Sequence, residues 1–304
     1  MKGKYMVCVC LKDGLGNQMF TYAYARAIQE ANDDKKLIID TYDFKNDFRS
    51  YALNHFKLNP NIKNNNLINQ LWTRISCKLR FNKYLENPIK EEVFNELTKK
   101  GLYYDYFPYG KHEPMTTKAR KKVVRGCYQC SENFESIKDI IIDEFTVVTP
   151  PSPENKQMLE QISKDNAVCV HVRRGDYINH PVWSKELAIC TEEYYKKAMD
   201  IVASKVENPV FYIFSNCSED IKWIKENYKF DYDVKYVDLN NPDYEELRLM
   251  YSCKHFIISN STFSWWAQYL SKNENKVVVA PSLWNRSVNA SNIYMDSWEI
   301  VDVK

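Results

Sequence analysis

Short, almost unbroken apolar runs alternate along this chain with stretches in which apolar residues recur every three or four positions. Runs at residues 5–11, 36–40, 123–127, 167–172, 210–215, 234–237, 255–259 and 277–280 read as buried strands. Stretches at 18–31, 131–144, 154–164, 192–205, 220–228, 244–252 and 264–272 carry the helical period. Near-continuous apolar strands separated by amphipathic helices predict parallel sheets covered on both faces. Residues 42–109 are rich in Asn and aromatics and weakly periodic, so helices and loops are expected there. Thr149-Pro150-Pro151-Ser152-Pro153 breaks any helix or central strand. It divides the chain into an expected domain at 1–150 and another at 151–304. The predicted class is α/β, with two Rossmann-like domains facing a cleft.

Composition adds exclusions. Of the 304 residues, 44% are hydrophobic and 27% charged, which fits a packed globular protein. The formal net charge is only +2, too small for a broad field toward nucleic acid or membrane, so any anion site is local. The nine cysteines sit mostly in apolar runs and read as buried thiols. Cys127 and Cys130 form one CxxC without a second pair at zinc spacing. The run at 5–11 is too short to span a bilayer or to serve as the core of a secretion signal. The expected location is cytoplasmic, either free or peripheral to a membrane, with no transmembrane segment.

Three segments carry the candidate chemistry. His171-Val172-Arg173-Arg174-Gly175-Asp176-Tyr177 follows a buried strand, at the sheet edge where open α/β folds bind ligands. Guanidinium groups there can hold phosphate oxygens in bidentate fashion. Strand alternation sends Arg173 and Arg174 to different sides, so one of them faces a ligand; a surface salt bridge between an arginine and Asp176 is the plainer reading. Ser259-Asn260-Ser261-Thr262-Phe263-Ser264-Trp265-Trp266 follows another strand and opens a helix, where N–H groups and the helix dipole attract an anion. The tryptophans there fit core packing. Gly14-Leu15-Gly16-Asn17-Gln18-Met19-Phe20 forms the first strand-to-helix turn and lacks a full dinucleotide fingerprint. No P-loop is present, and Asp231-Tyr232-Asp233 precedes its strand, at the wrong sheet edge for a metal-diphosphate site.

Together these segments resemble the bacterial-type α-1,2-fucosyltransferases of glycosyltransferase family 11. The resemblance rests on GLGNQMF, on HVRRGDY at 171–177 and on CKHFIISNSTFSWWAQYL at 253–270, with smaller matches at 126–134, 211–216 and 280–284. It implies a GT-B-like fold, an acceptor-side N-terminal domain and a C-terminal domain that binds GDP-fucose. It further implies Arg173 on the diphosphate and His171 and Glu246 (or Asp243) near guanine. Arg174, Asn260, Ser261, Thr262 and Ser264 fall around the donor, with Gly16, Asn17 and Gln18 closing over it. Neither metal nor cofactor is implied; the partners are GDP-fucose and a β-galactoside glycan. Asp13 stands where glycine is usual, and Cys127-Tyr128 replaces a Tyr-Trp pair, a change expected to touch acceptor contacts. The chemistry implied is inverting transfer to a galactose 2-hydroxyl, with Asp176, or less favourably His180, as general base. A fucosyltransferase of another linkage, or a nucleotide- or glycan-binding protein without catalysis, is the alternative.

Overall fold

The computed structural model describes residues 5–46, 49–59, 63–64, 71, 75, 91–105, 107–181 and 183–303. The chain forms two compact units, one ending at Val148 and the other starting at Thr149. The break falls beside the proline cluster. Pro153 opens the next helix with its fixed φ, and Ser152 caps that helix by accepting from the Asn155 N–H.

The first unit contains β1 (Met6–Cys10), α1 (Leu15–Ala31), β2 (Lys36–Asp40), β3 (Lys63–Asn64), α2 (Glu91–Lys99), β4 (Leu102–Tyr104), β5 (Lys121–Arg125) and α3 (Lys138–Glu144). Its sheet runs β3-β2-β1-β5-β4, with each neighbouring pair parallel. The helix expected over 131–144 is broken. Two 3-10 turns, Ser131–Asn133 and Glu135–Ile137, precede α3. The cause is Asn133, whose buried amide accepts from the His112 N–H and donates to the carbonyls of Gly110 and Tyr128. Such side-chain bonds to backbone compete with a helical ladder.

The second unit runs α4 (Pro153–Lys164), β6 (Asn166–His171), α5 (Gly175–Asn179), α6 (Trp183–Leu187), α7 (Glu192–Lys205), β7 (Pro209–Phe214), α8 (Ser218–Asn227), β8 (Val234–Tyr236), α9 (Asp243–Tyr251), β9 (His255–Ile257), α10 (Thr262–Leu270), β10 (Val278–Pro281) and β11 (Glu299–Val301). Its parallel sheet is ordered β8-β7-β6-β9-β10-β11. Counted within the unit this is 3-2-1-4-5-6, the Rossmann order, and its direction reverses between β6 and β9. Val168, Val170 and Ile257 pack with Tyr194, Tyr195, Met199 and Val202 of α7 in one buried cluster. Burial of the central strands on both sides explains why they read as unbroken apolar runs.

Among the described residues, no helix is long and apolar enough to cross a membrane.

Candidate active site

The strand reversal of the second unit sets two of the three sequence segments side by side. His171 ends β6, and Ser259 follows β9, its neighbour in the sheet. The His171 Nδ1 and the Ser259 Oγ share a hydrogen bond of 3.0 Å and tie the two loops together. His171 is buried, and desolvation together with the nearby Arg173 charge pushes its pKa down to about 3. Its imidazole is therefore neutral at physiological pH, and the positive charge of the segment comes from the arginines alone.

The two arginines part company. The Arg173 guanidinium lies 5.1 Å from the centre of the Tyr177 ring of α5. Arg174 turns toward α8. Its guanidinium sits 3.2 Å from the Trp223 ring centre, and its Nε is 3.5 Å from Asp220 Oδ1. Arg174 is thus paired with Asp220, a residue from the next βα segment, whereas the ion pair expected with Asp176 falls outside the described side chains. Asp176 lies in α5, and its side chain is outside the described residues. Gly175 has φ +37°, and a Cβ there would come within 2.9 Å of the Asn216 amide. The loop passes that close because Asn216 Oδ1 accepts the Arg174 N–H, at 3.3 Å.

The polar run after β9 divides its work. Ser261 is the N-cap of α10, its Oγ accepting from the Phe263 N–H at 3.3 Å. Thr262 follows as the first helical residue and is half-buried. Ser264 is buried and donates to the carbonyls of Ser259 and Ser261, bracing the loop from beneath. Asn260 is buried as well. Its amide donates to the Leu187 and Trp284 carbonyls at 3.0 Å each, and its own carbonyl accepts from the Tyr177 hydroxyl at 3.1 Å. Asn260 thereby joins three segments rather than offering its amide to a ligand. The indole N–H of Trp265 bonds the Ile293 carbonyl, and both tryptophans are fully buried, as core packing requires.

Glu246 sits in α9, half-buried, and accepts from Asn241 Nδ2 at 3.2 Å. Burial pushes its pKa up to about 7, against that hydrogen bond and with help from the charges of Asp243, Asp238 and Glu245. Glu245 is buried against Arg248, which also bonds the Thr149 carbonyl, whereas Asp243 is exposed.

In the first unit the strand order reverses between β1 and β5, so the Gly14–Gln18 turn lies beside the loop at 126–130. Asp13 has φ +64°, which explains the glycine usual there; a short Asp tolerates that region better than most side chains. Gly16 is buried in the first turn of α1. Asn17 Oδ1 accepts from Gln129 Nε2 at 3.0 Å across the two loops. Gln18 is 1% exposed. Its Nε2 donates to the carbonyls of Asp13 and Ser50, and its Oε1 accepts the Ala52 N–H. Its hydrogen bonds hold the turn in shape. Gly126, at φ +149°, leaves room for the Asp105 carboxylate, which accepts the Cys127 N–H at 2.7 Å; an added Cβ would fall 2.3 Å from Asp105 Cγ. Tyr128 is fully buried and stacks on Tyr24 with ring centres 4.0 Å apart, so of the Cys127-Tyr128 pair Cys127 alone keeps some exposure.

Among the described residues, one group of three side chains has metal-type ligands within 4.8 Å of one another: Cys8, Cys10 and Asp40, all buried. Three ligands fall short of the four that a structural zinc site takes.

Two parallel α/β units, the second in Rossmann order with an arginine loop and a capped helix at its switch point, give the chain a GT-B-like fold. The fold matches that of a mutant of Arabidopsis thaliana FUT1 in complex with GDP, at a TM-score of 0.50 and 13% identity over 92% of this chain and 71% of that one. The family model for Glycosyl transferase family 11 matches residues 6–302, and the chain belongs to that family. It is 30% identical to the O-antigen biosynthesis glycosyltransferase WbnK of Escherichia coli, over 95% of this chain and 98% of that protein. It is also 30% identical to an alpha-1,2-colitosyltransferase of Escherichia coli, over 92% of each.

Proposed function

We propose that this family 11 enzyme transfers L-fucose from GDP-fucose, with inversion, to the 2-hydroxyl of a terminal β-galactoside. The observation that carries the reading is the adjacency of the Arg173 loop and the capped start of α10 at one topological switch point. A diphosphate leaving group gains negative charge as its bond to C1 breaks. A guanidinium fork and first-turn N–H groups stabilise that charge without a metal, and they need no reorganisation as it develops. Neutral His171 contributes position, through Ser259, and no charge. Glu246 in its carboxylate form suits the N1–H and amino group of guanine. The galactose hydroxyl attacks C1 from the face opposite GDP, with Asp176 as the base that takes its proton.

A second donor has a specific observation behind it, the similarity to an alpha-1,2-colitosyltransferase. Colitose is L-fucose without the 3-hydroxyl, so the two donors share every phosphate and guanine contact. The test is to incubate the protein with GDP-fucose or GDP-colitose and a panel of β-galactosides, and to assign the product linkage by NMR. The reading expects an α-1,2-fucosyl product. Faster turnover of GDP-colitose would reassign the donor, and another linkage would reassign the acceptor hydroxyl.

A further inference from the structure

Three consecutive peptide groups around Arg173 are held by side chains of one segment, residues 215–220, which leads from β7 into α8. Backbone pairing of β6 with β7 runs one residue past the strand, the Val172 N–H donating to the Phe214 carbonyl at 2.9 Å. Beyond that point side chains take over. Ser215 Oγ donates to the Val172 carbonyl at 2.7 Å. Asn216 Oδ1 accepts the Arg174 N–H at 3.3 Å, and Asp220 Oδ2 accepts the Gly175 N–H at 3.1 Å. The bonded groups belong to the peptides 172–173, 173–174 and 174–175. Arg173 thus has a fastened peptide plane on each side of its Cα.

Peptide groups are planar, so two fixed planes set both soft dihedrals of the residue between them, and with them the direction of its Cα–Cβ bond. A guanidinium stands at the end of a long stem, and a small rotation at Cα becomes a large displacement at its tip. The chain also turns left-handed straight after the arginines, at Gly175, where Asn216 fills the space a Cβ would need. Asp220 does two things at once. One oxygen takes the Gly175 N–H, while the other faces Arg174 Nε at 3.5 Å and keeps the second guanidinium on α8. Ser215 is buried and the Asp220 side chain is 14% exposed, so water competes little for these bonds. Asn216 is exposed, and its single bond to the loop adds little to global stability.

We propose that Ser215, Asn216 and Asp220 are positioning residues that fix the backbone on either side of Arg173, so that its guanidinium meets the leaving diphosphate already aimed. The inference rests on the reading of Arg173 as the diphosphate contact, and deepens it by naming what aims that side chain. Stabilisation of developing charge depends on donors that are in place beforehand. A misplacement of about 1 Å can cost on the order of 100-fold in rate. The test measures kcat and both KM values for fucosyl transfer from GDP-fucose to a β-galactoside, with melting temperature alongside. The variants are made singly and on an Arg173→Ala background. Asn216→Ala and Asp220→Ala lower kcat roughly tenfold and leave the acceptor KM unchanged. Ser215→Ala does the same to a smaller extent. Asn216→Asp and Asp220→Asn, which keep an accepting oxygen, recover most of the rate. On Arg173→Ala the alanine substitutions lower kcat no further, because the side chain they aim is gone. Asn216→Ala keeps the fold, and so reads the effect even where Asp220→Ala lowers the melting temperature. Wild-type kcat in Asn216→Ala and Asp220→Ala, with transfer still lost in Arg173→Ala, would overturn the positioning role alone. Losses that multiply with that of Arg173→Ala would overturn it too, by making the segment a brace that acts through other groups. Full transfer in Arg173→Ala would overturn the diphosphate reading and the positioning role with it. A wild type that transfers no fucose would overturn the function and the inference together.

Discussion

Arg173 and Arg174 are adjacent in sequence, but they face different parts of the second unit. Arg174 is packed on Trp223 and paired with Asp220, while Arg173 stays with the ligand-edge loop. On the proposed reading, in which Arg173 contacts the leaving group, Arg173→Ala is expected to lower transfer roughly 100-fold or more with little change in melting temperature. Arg174→Ala is expected to do the reverse, costing about 1–2 kcal/mol of stability with a smaller effect on turnover. Activity and melting curves on the two variants check the division. Strand alternation predicts such a split, but β6 ends at His171, and it is Trp223 and Asp220, about fifty residues downstream, that turn Arg174 away; nothing local marks which helix covers a loop. Glu246 gives a pH signature. Its folded pKa of about 7 lies above the ordinary 4.5, so the carboxylate form grows in as pH rises through 7. Donor KM should fall from about pH 6 to about pH 8 in the wild type and stay flat in Glu246→Gln. The sign for stability is opposite. The folded state holds this proton more tightly than the unfolded one, so Glu246's contribution is full below 4.5 and lost as pH rises to about 7.

At the scale of elements, the long periodic segments were readable. The helix at Glu192–Lys205 and the strand at Lys36–Asp40 coincide with their expected ranges, and most others shift by one to three residues. What escaped was short or held by distant side chains. β4 and β11 are three residues each, too brief to show a period. The turns before α3 depend on Asn133 reaching Gly110 and His112. The start of α1 shows the same limit. Gln18 reads as one more polar residue in a ligand-binding turn, yet the structure uses its amide to bind the turn to Ser50 and Ala52. Gln18→Leu leaves the buried Ala52 N–H without its partner and should cost about 1–3 kcal/mol, measurable by urea unfolding of the full chain. Its loss of transfer should follow the loss of folded protein.

At the scale of the whole molecule, alternation of strand and helix was enough to predict two parallel α/β units, because covering a sheet on both faces writes itself into the hydrophobic pattern. Strand order is set by pairing across long sequence separations, and it is the order that matters for function. Only because β9 lies beside β6 do residues 171–177 and 259–264 share one edge. The direct measurement is a crystal structure of the protein with GDP. The account predicts both phosphates within hydrogen-bonding distance of the Arg173 guanidinium and the first-turn N–H groups of α10. An ordered GDP whose phosphates touch neither would contradict it.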